Sequence, residues 1–241
     1  MIKVSLILTF FISSMLAEPI TSRAVITSYD ETVLSSQLSG SIKYLKKIEG
    51  DYFKKDELLI KLDCKVYEAK KKKAAIEKNI AYLKYKKNKK LESFKSIGKF
   101  EVDISKEEFR RQSAQHDIAS LNVKRCSIYA PYNGRVIERK VSQYQNVKPN
   151  EEILKIVRTD NLEAKTFVPS TWLTWLKKGN DVDLIVDETQ TSLKAVIKEL
   201  GPVVDPVSQT VLVRVALKKP YEKIIPGMSA TVVFKEELKK N

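Results

Sequence analysis

The sequence predicts a mainly β protein, elongated in outline, that joins a β-sandwich to a β-barrel and carries one inserted α-helical hairpin. Three observations predict it. Residues 40–62 repeat at 134–156, Gly40 aligning with Gly134 at a constant offset of 94. The segment between the copies is Lys-rich and has helical periodicity. Beyond Asn161, short β-branched runs alternate with turn dipeptides. At 241 residues, 43% hydrophobic and 31% charged, the chain has the length for two compact domains and the composition of a folded protein.

Residues 1–17 read as a signal peptide. Lys3 precedes an apolar run, Val4 to Leu16, too short to cross a hydrocarbon core of ~30 Å. Cleavage after Ala17 and retention as an anchor are both open. The chain is therefore expected to be exported. Its net charge of +14 would ordinarily suggest nucleic acid or anionic membrane. Export argues against nucleic acid. Two readings are left: lysines that solvate an exposed rod, or attraction to anionic headgroups.

The repeat comes next, with halves expected at 18–63 and 127–158. Ile42 matches Val136, Phe53 matches Val147, Leu59 matches Ile153, Ile60 matches Leu154 and Leu62 matches Ile156. Lys54/Lys148, Glu57/Glu151 and Lys61/Lys155 are identities, as is the glycine pair. Gly40, Gly50 and Gly134 are expected at structural turns, with Gly227 doing the same service further on. Neither copy can bury a core alone, but two can pack into one sandwich. The segment LSSQLSGSIKYLKKIEGDYFKKDELLIKLD resembles the first half of a biotinyl/lipoyl-like domain. IYAPYNGRVIERKVSQYQNVKPNEEILKIV resembles the second half as it occurs in periplasmic adaptors, the membrane fusion proteins of the HlyD/RND type. In true carriers a tight turn with a modified lysine joins the halves. Here Asp63-Cys64-Lys65 stands in that place and a long insertion follows.

The insertion, 64–126, reads as two helical arms. Val66, Ala69, Ile76, Ile80, Leu83 and Phe94 form one heptad seam, interrupted by Lys73, Lys87 and Lys90. Phe100, Ile104, Ala114, Ile118 and Leu121 form the second, broken by Glu107 and Arg111. Gly98 is the expected helix breaker near the midpoint. Each arm would reach ~45 Å at ~1.5 Å per residue. Phe94, Ile97, Gly98 and Phe100 are the candidate tip contacts with a channel. The Arg-Leu-Ser pattern of many channel-docking adaptors does not occur in this tip.

Cys64 and Cys126, the two cysteines, bracket the insertion. An even count in an exported chain favours a disulfide clamping the hairpin to its base; two reduced cysteines are the alternative. His116, the single histidine, lies far along the second arm, which argues against a metal site.

The last unit, 159–236, is expected to hold strands at Asp181–Val186, Thr191–Ile197, Gln209–Leu217 and Thr231–Phe234, before a tail at 237–241. A short helix with a Ser or Thr cap should begin near Ser170. Trp172 and Trp175 share its face, for core packing or for contact with a transporter. VPSTWLTWLKKG, VDPVSQTVLVRV and PGMSATVVF resemble the β-barrel domain of the same adaptors. Only Lys235 to Asn241 follow, so the resemblance is to a compact adaptor without the membrane-proximal domain.

No phosphate loop, metal-spaced cluster or nucleophile elbow is present in the sequence, so neither an enzyme nor a cofactor is expected. The resemblance implies an adaptor in the Gram-negative periplasm, held at the inner membrane through a transporter. That transporter would be of RND type by preference, with ABC and MFS (facilitator) types open. The adaptor would link it to a TolC-like outer-membrane channel and self-associate, in a ring of about six. The rival readings are an exported lipoyl-like carrier modified at Lys65 or an enzyme subunit, and a coiled-coil scaffold without a transport role.

Overall fold

The computed structural model describes residues 20–219, 221 and 223–235. The expected signal peptide and the 237–241 tail lie outside the described residues. The elements run β1 (Ile20–Ser28), β2 (Glu31–Ser35), β3 (Gly40–Tyr44), β4 (Tyr52–Phe53) and β5 (Leu58–Leu62), then α1 (Lys65–Ser93) and α2 (Lys99–Arg125). They continue as β6 (Ser127–Tyr129), β7 (Gly134–Arg139), β8 (Asn146–Val147), β9 (Glu152–Arg158) and β10 (Leu162–Pro169). A 3-10 turn (Ser170–Thr174), β11 (Asp181–Val186), β12 (Thr191–Val204), β13 (Thr210–Leu217) and β14 (Ser229–Phe234) follow. This is the mainly β chain with an inserted helical hairpin that the sequence predicts. It divides into two units, 28–161 and the remainder.

In the first unit two four-stranded sheets, β2-β9-β7-β4 and β6-β5-β3-β8, face each other. The repeat explains how. Copy one gives β3 and β5 to one sheet and lends β4 to the other; copy two gives β7 and β9 and lends β8 back. Phe53 of β4 pairs with Gly134, and Val147 of β8 pairs with Gly40, so the loan is reciprocal. Both members of all five matched apolar pairs are buried in this core. Burying them together is what neither copy can do separately.

The identities have a backbone reason. The Glu57 carboxylate accepts the Lys54 N–H, and the Glu151 carboxylate accepts the Lys148 N–H, each at 2.9 Å. Asp56 and its counterpart Asn150 both take positive φ, 63° and 67°, as do Gly50 (85°) and its counterpart Tyr144 (69°). Gly227, at φ 96°, is the other expected turn glycine that needs this region. Gly40 and Gly134, expected in turns, instead open strands β3 and β7. Gly134 is required there by space: a Cβ would lie 2.1 Å from the Val157 carbonyl oxygen, whereas one at Gly40 would meet nothing closer than 3.7 Å.

The hairpin belongs to this unit. Helices of 29 and 27 residues extend about 43 and 40 Å at ~1.5 Å per residue. The turn between them corrects the sequence reading. α1 ends at Ser93, and Lys95 just beyond it, not a glycine, takes the left-handed region (φ 57°), with the Lys95 and Ser96 N–H groups bonding back to the Glu92 and Leu91 carbonyls. Gly98 precedes α2 with extended backbone, φ −78° and ψ 161°.

The second unit is a closed antiparallel barrel in the order β1-β10-β13-β12-β11-β14. Strict period-two burial drives it: Val211, Val213, Val215, Ala230, Val232 and Phe234 all point into one core. β1 is a correction. Residues from 18 onward were expected in the sandwich half, but Ile20–Ser28 closes the barrel against β14, pairing Ile20 with Phe234 and Val25 with Ser229. Closure removes the exposed edges that β10 and β14 would otherwise present. The short helix after β10 is a 3-10 turn without the expected Ser/Thr side-chain cap.

Candidate functional site

The hairpin reverses its expected polarity. The residues buried along it are Ala74 and Ala81 of α1 and Val102, Ser105 and Ala119 of α2. Ala74 and Ala81 are seven apart, Ser105 and Ala119 fourteen, and Val102 precedes Ser105 by three; these mostly small side chains let the helices approach closely. Tyr82 and Phe109 add a ring contact at 5.3 Å. The expected seam residues face outward instead. Val66, Ile76, Ile80, Leu83, Phe94, Phe100, Ile104, Ile118 and Leu121 are between 51% and 73% exposed, and Ala69 and Ala114 are exposed with them. Periodicity found the most apolar stripe of each helix, but that stripe is not where the helices meet.

Four of these residues, Ile80, Phe100, Ile104 and Ile118, line grooves between the helices, whereas Ile76, Leu83, Ala114 and Leu121 lie on the far sides of their helices, opposite the buried alanines and serine. A groove between the helices is lined by Ile80, Lys84, Phe100, Ile104 and Glu108. A second groove includes Lys73, Ala74, Ile118 and Ala119. Glu77 lines both, so both open on the same side. The apolar surface is edged by charge: Arg111 and Gln112 hydrogen-bond the Glu108 carboxylate and hold it below the usual carboxylate range. Glu108 in turn raises the Arg111 guanidinium. The groove side of the hairpin is thus an exposed apolar lining bordered by ions.

At the tip, Phe94, Gly98 and Phe100 are exposed and Ile97 is half-buried. The structure thus gathers the four candidate tip residues around one turn. At the base, Cys64 and Cys126 form a disulfide with Cα atoms 5.8 Å apart. The adjoining strands are already paired there, the Leu62 N–H donating to the Cys126 carbonyl at 2.8 Å. Tyr67 Oη donates to the Ser39 carbonyl and fixes the first turn of α1 to the loop before β3. Lys65, in the place of a carrier lysine, is the first residue of a helix, its N–H on the Asp63 carboxylate at 3.1 Å.

In the barrel, Trp172 and Trp175 are half-buried against the core. Their rings lie 5.6 Å apart, and Trp172 meets Phe234 edge-on at 5.3 Å. Both thus pack against the barrel interior. Glu163 is buried on the barrel wall and paired with Arg214 (3.0 Å) and Lys198 (3.3 Å).

A surface that sequence reasoning missed is the β12–β13 tip. Val203 and Val207 are 72% and 93% exposed. The Asp205 carboxylate accepts the Val207 and Ser208 N–H groups and the Ser208 hydroxyl. The Ser208 N–H is the main cause of this carboxyl's lowered pKa. The Asp-Pro signal marked a turn; that the turn holds valines outward follows from β12 extending seven residues past its expected end at Ile197. Among the described residues no helix is long and apolar enough to cross a membrane.

Two family descriptions match. Residues 31–159 match the barrel-sandwich hybrid domain of RND membrane fusion proteins, and residues 164–238 match the CusB-like β-barrel domain. The chain is similar to the solvent efflux pump periplasmic linker SrpA of Pseudomonas putida, at 22% identity over 83% of this chain and 56% of that one. Its similarity to the toluene efflux pump periplasmic linker TtgG of the same species is also 22%, over 83% and 55%. The chain thus spans about half the length of these curated relatives. Among solved structures it shares its fold with a MacA–MexA chimera containing the Pseudomonas aeruginosa MexA α-hairpin, at TM-score 0.75, 22% identity, and coverage of 90% and 81%. It also shares it with the membrane fusion protein Spr0693 of Streptococcus pneumoniae, at TM-score 0.72, 14% identity, and coverage of 90% and 99%. With more than half of its length matched by the barrel-sandwich hybrid description, this chain belongs to the RND membrane fusion protein family.

Proposed function

We propose that this chain is a periplasmic adaptor of a tripartite efflux or secretion system in a Gram-negative bacterium, exported by residues 1–17. It would link an inner-membrane transporter to an outer-membrane channel and contribute no catalysis of its own. The family membership and the printed functions of SrpA and TtgG, both efflux-pump periplasmic linkers, support the role. The two RND-related domain descriptions favour an RND-type transporter.

The observation that carries the reading is the exposed apolar stripe on each helix of the hairpin. Ile76, Ile80, Leu83, Ile104 and Ile118 lie outside the helix–helix contact, at a cost in water that a monomer does not recover. We propose that neighbouring copies cover these stripes, closing a ring of about six. The barrel would meet the transporter and the hairpin would project toward the outer membrane. The test is affinity capture of the tagged chain from cross-linked cells. Recovery of a transporter and a channel in the same complex is expected. Capture of the chain alone, with efflux unchanged when its gene is removed, overturns the reading.

A further inference from the structure

We infer that the hairpin tip is a contact site for an anionic lipid surface. From Lys86 to Phe100 the chain carries Lys86, Lys87, Lys89, Lys90, Lys95 and Lys99 against a single acid, Glu92, a net +5 over fifteen residues. All six lysines are exposed. None lies within 4.0 Å of a carboxylate among the described residues. They surround the turn: four on the last two turns of α1, one in the loop and one at the start of α2.

At the centre of this crown stand Phe94 and Phe100, 67% and 73% exposed. The turn that presents them is well bonded. The Lys95 and Ser96 N–H groups close onto Glu92 and Leu91, and the Ser93 hydroxyl donates to the Lys90 carbonyl. Two aromatic rings held in water by a fixed turn, ringed by flexible cations, match the chemistry of a bilayer interface. The rings enter the headgroup boundary while the lysine stems lie along it and their ammonium groups stay with the phosphates.

Charge complementarity selects this occupant. An apolar pocket would take the two rings but leave the six ammonium groups without partners. An anionic leaflet satisfies both, and each lysine near such a surface contributes roughly five-fold to partitioning. The excess is densest at the tip: α1 from Lys65 to Tyr85 carries seven lysines against two acids over a longer stretch, and α2 from Phe100 to Arg125 carries five acids and five Lys or Arg residues and is neutral. The inference goes beyond the adaptor reading and stands or falls separately from it.

The test is vesicle flotation of the full chain, using phosphatidylcholine alone or with ~30% phosphatidylglycerol. The parent chain should bind the anionic vesicles at least about ten-fold better than the neutral ones at low salt, and lose the preference as salt rises. Phe94→Ser with Phe100→Ser should weaken that binding about ten-fold. Lys86, Lys87, Lys89 and Lys90, all changed to Gln, should erase the preference for anionic lipid. The N-terminal apolar run is common to every variant, so these differences report on the tip. An intact disulfide and an unchanged helix signal control for folding. Absence of anionic preference in the parent, or variants that bind as tightly as it does, overturns the inference and assigns the tip to a protein partner.

Discussion

The barrel and the hairpin use their apolar residues in opposite ways. In the barrel, alternate residues of β11, β13 and β14 point inward, and the core of Leu184, Val213 and Val232 is complete within the chain. In the hairpin, the helices meet through alanines and a serine while the isoleucines, leucines and phenylalanines face out. A barrel strand has one partner face, fixed by the pleat. A helix offers several stripes, and tertiary context chooses which is buried first. The barrel can therefore stand on its own burial, whereas the hairpin leaves its largest apolar side chains in water and is anchored at its base by the disulfide.

The largest expected effect comes from the base. Cys64 and Cys126 are 62 residues apart, and the chain-entropy relation gives about 4 kcal/mol for closing such a loop. Reduction, or Cys64→Ser with Cys126→Ser, should lower the denaturation midpoint followed by the far-UV helix signal. Both tryptophans lie in the barrel, so tryptophan fluorescence should keep its midpoint. Transitions that shift together would break the contrast between the two regions.

A pair of truncations sharpens it. Leu184 is fully buried in the barrel, and Leu184→Ala should cost ~2–5 kcal/mol by denaturant titration of tryptophan fluorescence. Ile80 is 61% exposed, and Ile80→Ala in dilute solution should change hairpin stability by less than ~0.5 kcal/mol. Alanine's better helix propensity offsets part of any loss. The same substitution should weaken self-association at high concentration, read by sedimentation. A loss above ~2 kcal/mol in the dilute monomer would mean that Ile80 is covered within its own chain.

Legibility in the sequence follows the same division. The sandwich core could be read because two copies of one pattern cross-checked each other: every matched pair, from Ile42/Val136 to Leu62/Ile156, is buried. β12, β13 and β14 could be read from β-branched alternation. β1 could not, because Thr21, Ser22, Arg23, Thr27 and Ser28 dilute its pattern and its partner β14 lies about 200 residues away. The hairpin's existence was legible and its inner face was not. Apolar periodicity ranks stripes by hydrophobicity, while close helix approach selects small residues such as Ala74, Ala81 and Ser105. The outward valines of the β12–β13 tip were hidden for the opposite reason: an apolar run reads as core until its register past Ile197 is known.

The smallest effect contrasts single ion pairs. In the barrel, Asp183 stands opposite Lys194 in the β11–β12 ladder, 2.5 Å from its ammonium group, with Lys235 at 3.3 Å on the other oxygen. The Lys194 hydrogen bond, reinforced by Lys235 against a smaller burial penalty, holds the Asp183 carboxyl below the usual range. Because the folded pKa is depressed, the stabilisation is present above the unfolded value of ~3.9 and is lost as pH falls through the folded value. Asp183→Asn should lower the barrel's stability at neutral pH by at most about 1 kcal/mol, and the difference from the parent should vanish at the acid end of the titration. In the hairpin, Glu108 is also held low, by Arg111 first and Gln112 second, but within a single helix and in contact with water. Glu108→Gln should therefore leave the helix midpoint unchanged at physiological salt, because screening and side-chain entropy cancel an isolated surface pair. An acid-dependent loss larger in the hairpin than in the barrel would place the electrostatic contribution in the region where the structure shows the weaker framework for it.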